Sequence, residues 1–202
     1  FGIDPIAIFR ASFRNIYNKL TDKRLIGAST ITQQVVKNLL LSNEVSLERK
    51  IKEMIENDIS WMVGGAQGSG VDSAATIFAR GCNYAGLYVY GQREYYSNIM
   101  GEHSYFIVRV HSNPIRSHFN QINLLTTFDA ETIARHFLTI VDTGGLIYDP
   151  NTTNIKLSDI ATFEKRLLSD TETYLKNQGL NDTLDDILKD CSNRGIKLYP
   201  VD

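Results

Sequence analysis

Cys82, His136 and Asp149 have the residue types of a nucleophile, a base and an orienting carboxylate, and they occur in that order. A thiol at a helix start loses its proton more readily, because the helix dipole and a neighbouring imidazolium favour the thiolate. An imidazole held by a carboxylate can then act first as general base and later as general acid. The run 136–142, His-Phe-Leu-Thr-Ile-Val-Asp, and the run 146–150, Leu-Ile-Tyr-Asp-Pro, flank Thr143-Gly144-Gly145. Two apolar runs with a glycine-rich connection predict a β-hairpin, which would set His136 beside Asp149. Gln67, Asn83 or a backbone N–H would supply oxyanion donors. His103, only 21 residues beyond Cys82, is the rival base. His111 and His118 lack an acidic neighbour at useful spacing, and Cys191 lies in a polar context near the C-terminus, so all three are expected to stand outside the chemistry. Plainer roles compete: Cys82 as a small buried hydrophobe, His136 as a satisfied strand-end histidine, and Asp149-Pro150 as a turn initiator.

A second set lies near the N-terminus. Lys37, Arg49 and Lys50 suit phosphate charge, and Ser29, Thr30, Gln33 and Gln34 offer neutral donors near a helix start, where the dipole also favours anions. Glu53 adds a carboxylate. On spacing alone the competing account is a solvated helix face.

Elements must position both sets. Asp4-Pro5 predicts a helix start, followed by Phe9, Phe13, Ile16 and Leu20 on one stripe. Residues 27–30 break that pattern, a second helix covers about 31–41, and Ser46 caps a third. Residues 64–70, Gly-Gly-Ala-Gln-Gly-Ser-Gly, read as a flexible linker. Beyond it, a helical stretch around Cys82, a strand over 104–110, a short helix over 129–134, the hairpin, a helix beginning at Ser158-Asp159, a helix near 184–188 and a tail are expected.

Two resemblances follow from these residues. Gly27-Ala28-Ser29-Thr30-Ile31-Thr32-Gln33-Gln34, with Arg49-Lys50-Ile51-Lys52-Glu53, resembles the second and third motifs of the family 51 glycosyltransferases, the transglycosylase modules of penicillin-binding proteins. The resemblance runs from Phe1 to about Glu56 and implies that Ser29, Thr30, Gln33, Gln34, Lys37, Arg49, Lys50 and Glu53 contact a lipid pyrophosphate or substrate. The family's general base lies upstream of Phe1, so no polymerase activity is expected of this segment. The order Cys82, His136, Asp149 resembles the papain-like cysteine hydrolases over about residues 71–175. Asp149-Pro150-Asn151 is similar to YopT-type effector proteases, and residues 82–90 to NlpC-type peptidoglycan peptidases.

Composition limits the alternatives. The 202 residues carry 21 Lys and Arg, 23 Asp and Glu, and a net charge of −2. Nine of the basic residues and six of the acidic ones fall within the first 56. That mild asymmetry favours neither nucleic acid nor a strongly charged membrane patch. No apolar run reaches the length of a bilayer span. Two cysteines form neither a metal spacing nor a disulfide framework. A first residue of Phe and no signal peptide suggest a fragment.

The resulting expectation is an α+β protein, with an N-terminal helical segment followed by a papain-like domain of helix plus antiparallel sheet. Its parts are a partial glycosyltransferase segment (1–56), a linker (57–70) and a cysteine hydrolase or acyl-transferase domain (71–202). No cofactor or metal is expected. A protein or peptidoglycan peptide is the expected substrate, with lipid II contact through residues 27–53. The location stays open among bacterial cytoplasm, periplasmic membrane surface and secretion. A penicillin-binding-protein remnant and a non-catalytic interaction module remain alternatives.

Overall fold

The computed structural model describes residues 58–95, 102–153, 155–160 and 162–201. The three helices expected before residue 57 therefore fall outside the described residues, as do Ser29, Thr30, Gln33, Gln34, Lys37, Arg49, Lys50 and Glu53.

The described chain folds around one six-stranded sheet. Its strands are β1 (Ile59–Ala66), β2 (Tyr88–Tyr95), β3 (His103–His111), β4 (Ile122–Thr127), β5 (Ile140–Tyr148) and β6 (Lys197–Pro200), in the spatial order β2-β3-β1-β4-β5-β6. Strands β1, β4, β5 and β6 run parallel, whereas β3 pairs antiparallel with both β1 and β2. Among the described residues four α-helices pack on this sheet: α1 (Val71–Tyr84), α2 (Ala130–His136), α3 (Lys165–Asn177) and α4 (Leu184–Asn193).

Side-chain alternation along the central strand divides the interior. Trp61 and Val63 join Phe78 and Cys82 of α1 in one core. Met62 points the other way, into a core with Ile133 of α2, Leu175 of α3 and Ile187 of α4. Helices thus cover both faces, and β1, inside the sheet between antiparallel β3 and parallel β4, is buried from Ser60 to Gly65. No helix among the described residues is long and apolar enough to cross a membrane.

This mixed sheet with helices agrees with the expected α+β class and corrects the papain-like arrangement. The 57–70 linker is also corrected: Gly64 and Gly65 are buried in β1 rather than exposed. Close approach explains why glycine is needed there. A Cβ on Gly64 would lie 2.6 Å from Thr132 Cγ2, inside α2.

The hairpin over 136–150 does not form. His136 ends α2, Phe137–Thr139 make a 3-10 turn, and 140–148 are one strand. Thr143, at φ 68, and its glycines make an irregularity within β5, not a reversal. Between the β4 partners Ile122 and Leu124, β5 advances from Ile140 to Gly145, so the extra residues bulge out and the parallel ladder resumes.

Two further expectations shift. Residues 157–159 form only a 3-10 turn, and the helix begins at Lys165. The expected tail supplies edge strand β6, through Leu198 on Leu146 and Tyr199 on Ile147. The helices around Cys82 and from 130, and the strand at 103–111, stand as read.

Candidate functional site

The three proposed catalytic residues are not brought together. Cys82 is 0% exposed in the core under α1, where burial pushes its thiol up to about 12. His136 lies on the opposite face of the sheet, in the core with α2. Asp149 follows β5 and caps the 3-10 turn Pro150–Thr152, accepting from Asn151 N at 2.8 Å and Asn151 Nδ2 at 3.0 Å. A buried neutral thiol separated by a sheet from the imidazole cannot act as its nucleophile. Asn83 is exposed, and the Gln67 N–H donates to Glu102 O at 2.7 Å.

The remaining candidates have structural partners. His111 Nδ1 accepts from Asn113 N at 2.7 Å, and His118 stacks on Tyr90. Cys191 is buried in the second core, and burial is the main reason its thiol is pushed up to about 12. Among the described residues, no group of three or more His, Cys, Asp or Glu is arranged to hold a metal ion.

The rival base proves to be the partner of the first choice. His103 and His136 face each other through their Nε2 atoms at 2.9 Å, both buried, at 1% and 7% exposure. One ring donates and the other accepts, depending on tautomer. Burial is the main cause that lowers His136 to about 3, with His103 and Arg135 adding to it. His103 is lowered as well, by burial first; Asp129 and Glu131 oppose that and Arg135 assists it. The Tyr105 ring stands edge-on to His136 at 4.7 Å between centroids. Arg135 is itself held by Glu131 at 2.6 Å, a buried i,i+4 pair to which the Thr162 hydroxyl also donates.

The feature with functional geometry is the edge where β1 and β4 end. From β1 the chain passes through residues 67–70 into α1, which packs on one face; from β4 it passes into α2, which packs on the other. Adjacent parallel strands whose connections leave to opposite faces open a crevice outside their carboxyl ends. The loop is tied to both sides. Ser104 Oγ donates to Gly65 O at 3.2 Å, Phe128 N to Gly64 O at 3.0 Å, and Ser69 N to Ala66 O at 3.0 Å. Gly70, at φ 103, precedes α1 in a conformation that suits glycine, and no side chain caps that helix start. Gln67 Oε1 is buried there with no hydrogen-bond partner among the described residues.

Sequence reasoning missed this switch point between β1 and β4, although a signal was present. The run Ile59-Ser60-Trp61-Met62-Val63, buried from Ser60 on, leads directly into glycines and then a helix, the pattern of a strand–loop–helix unit.

Comparison with known proteins divides the chain between residues 57 and 60, just before β1. The transglycosylase family model matches residues 1–57, as the N-terminal motifs implied. Penicillin-binding protein 1A of Rickettsia typhi is 66% identical over 62 residues, covering 31% of this chain and 8% of that protein. The 2-oxoacid:ferredoxin oxidoreductase subunit alpha of Saccharolobus solfataricus is 43% identical over 145 residues, covering 71% of this chain and 23% of that subunit. The chain therefore spans less than a quarter of the length of that relative. A 2-oxoglutarate:ferredoxin oxidoreductase structure from Magnetococcus marinus is similar over 73% of this chain and 34% of that one, at 14% identity and a TM-score of 0.46. These matches overturn the cysteine hydrolase, acyl-transferase and effector-protease reading, and limit the transglycosylase likeness to the N-terminal part. Through residues 60–202, which match its family model, the chain belongs to the pyruvate ferredoxin/flavodoxin oxidoreductase family.

Proposed function

We propose that residues 58–202 serve as one module of a 2-oxoacid:ferredoxin oxidoreductase, contributing a ligand-facing crevice rather than the redox centre. The observation that carries this reading is the 43% identity over 145 residues to an alpha subunit of such an enzyme. Two features support the assignment of roles. The two cysteines lie in separate cores on opposite faces of the sheet, so they cannot share a cluster. The start of α1, with no side-chain cap, lies at the carboxyl end of β1 beside β4, and the backbone N–H groups of its first turn suit an anionic group of a substrate or cofactor. Asp72 in the first turn of α1 would oppose an anion, but Arg93 pairs with it at 3.0 Å.

The test is a hybrid enzyme. Residues 58–202 replace the matching segment of an oxidoreductase alpha subunit, and ferredoxin reduction driven by a 2-oxoacid is measured. Restored turnover is expected, whereas the 202-residue chain alone should give none. A hybrid that folds and assembles but does not turn over would overturn the reading.

A further inference from the structure

The two histidines have no part in the proposed crevice chemistry, yet they join the two walls on which the loop rests. His103 opens β3 and is the register partner of Ala66, the last residue of β1. Its neighbours hold the loop directly: Glu102 O accepts the Gln67 N–H at 2.7 Å, and Ser104 Oγ donates to Gly65 O at 3.2 Å. His136 ends α2, whose Thr132 packs so closely on Gly64 that not even a methyl group would fit between them. The single Nε2···Nε2 contact at 2.9 Å thus ties the strand that holds one side of the loop to the helix that holds the other.

We propose that the His103–His136 hydrogen bond is an acid-sensitive latch for the end of β1 and the loop that follows it (residues 64–70), closed while the pair is neutral and opened when it is protonated. The reason is proton inventory. A neutral pair shares one proton between facing Nε2 atoms. When both rings are protonated, two N–H groups and two positive charges face each other, and the contact cannot persist. Even one added proton places a charge where both rings are buried.

The surroundings determine how sharp the response is. From α2, Arg135 faces the pair with like charge, and its ion pair with Glu131 keeps that carboxylate engaged. Asp129, at the N-cap of α2, acts on His103 in the opposite sense, as does Glu131. From β3, Tyr105 contributes a neutral ring to both histidines. Burial outweighs the two carboxylates, and both rings are held below the ordinary imidazole range. The latch is therefore closed near neutral pH and opens only on acidification.

For its consequence at the crevice the inference rests on the function proposed above, but its test reads the loop and not turnover. Amide hydrogen exchange is measured on the 202-residue chain near neutral pH and at about pH 3, where the pair takes up protons, corrected for intrinsic exchange. Protection of the Gln67 and Ser69 amides should fall at least about tenfold more than that of the α4 amides. His136→Gln, which retains hydrogen-bonding capacity without titrating in this range, should abolish the difference. If that variant does not fold, imidazole nitrogen shifts of the unmodified chain decide: the rings should titrate together with loss of loop protection. Loop protection that follows α4 at both pH values, or rings that titrate while the loop stays protected, would overturn the latch.

Discussion

Two glycine-containing stretches, 64–70 and 143–145, have similar composition and opposite duties. The first begins inside the central strand, buried on both faces, and leads into α1 at the carboxyl edge of the sheet. The second lies within β5 and absorbs an irregularity so that parallel pairing with β4 can continue. In the first, glycine is required because α2 presses on the backbone; in the second, because backbone oxygens do. A Cβ on Gly144 would lie 2.8 Å from Val141 O and 2.9 Å from Asn123 O. Glycine content alone therefore identifies neither a linker nor a hairpin turn. What the adjoining strand is packed against decides.

The strongest way to break this contrast is Gly64→Val. Overfilling the space against Thr132 should destabilise the fold by roughly 3 kcal/mol or more, read as a shift of the urea midpoint. A neutral effect would mean that α2 does not press on β1. Gly144→Ala should lower stability by about 2 kcal/mol, because backbone oxygens yield less than a side-chain tip. Stability equal to the unsubstituted chain would show that the bulge is not as tight as described.

Acid should separate the two stretches further. His136 is lowered from its ordinary 6.5 to about 3, so its contribution to stability is fully present above pH 6.5 and is lost as pH falls toward 3. The slope for one such group is at most about 1.4 kcal/mol per pH unit, measured by denaturant titration across that window. His136→Gln should flatten it, and an unchanged slope would remove the histidine pair as its source. The smallest effect belongs to Thr143, whose φ of 68 is strained for a β-branched residue. Thr143→Gly should raise stability by up to about 1 kcal/mol, net of the entropy glycine adds to the unfolded chain. A loss instead would mean that the threonine side chain holds the bulge.

Local signals were legible where they matched local structure. The helix around Cys82, the Asp129-capped helix and the strand at 103–111 follow from periodicity and capping. Strand β1 escaped because burial on both faces removes alternation, leaving an apolar run that ends in glycines. Strand β6 escaped because four residues carry too little pattern to distinguish a strand from a tail. The catalytic triad failed for a long-range reason. Whether Cys82 and His136 share a face depends on which side each helix takes across the sheet, and spacing along the chain does not encode that. The His103–His136 pair is likewise a contact between elements, visible only once β3 and α2 are packed.

The contrast turns most directly on the backbone amides of Gly64 and Gly65. They belong to the central strand, between β3 and β4. In native-state hydrogen exchange near neutral pH they should open only with the global unfolding free energy, alongside Trp61 and Leu125. Exchange at the rate of an unstructured peptide, with the remaining sheet still protected, would show that residues 64–70 are a linker after all and that no crevice is built there.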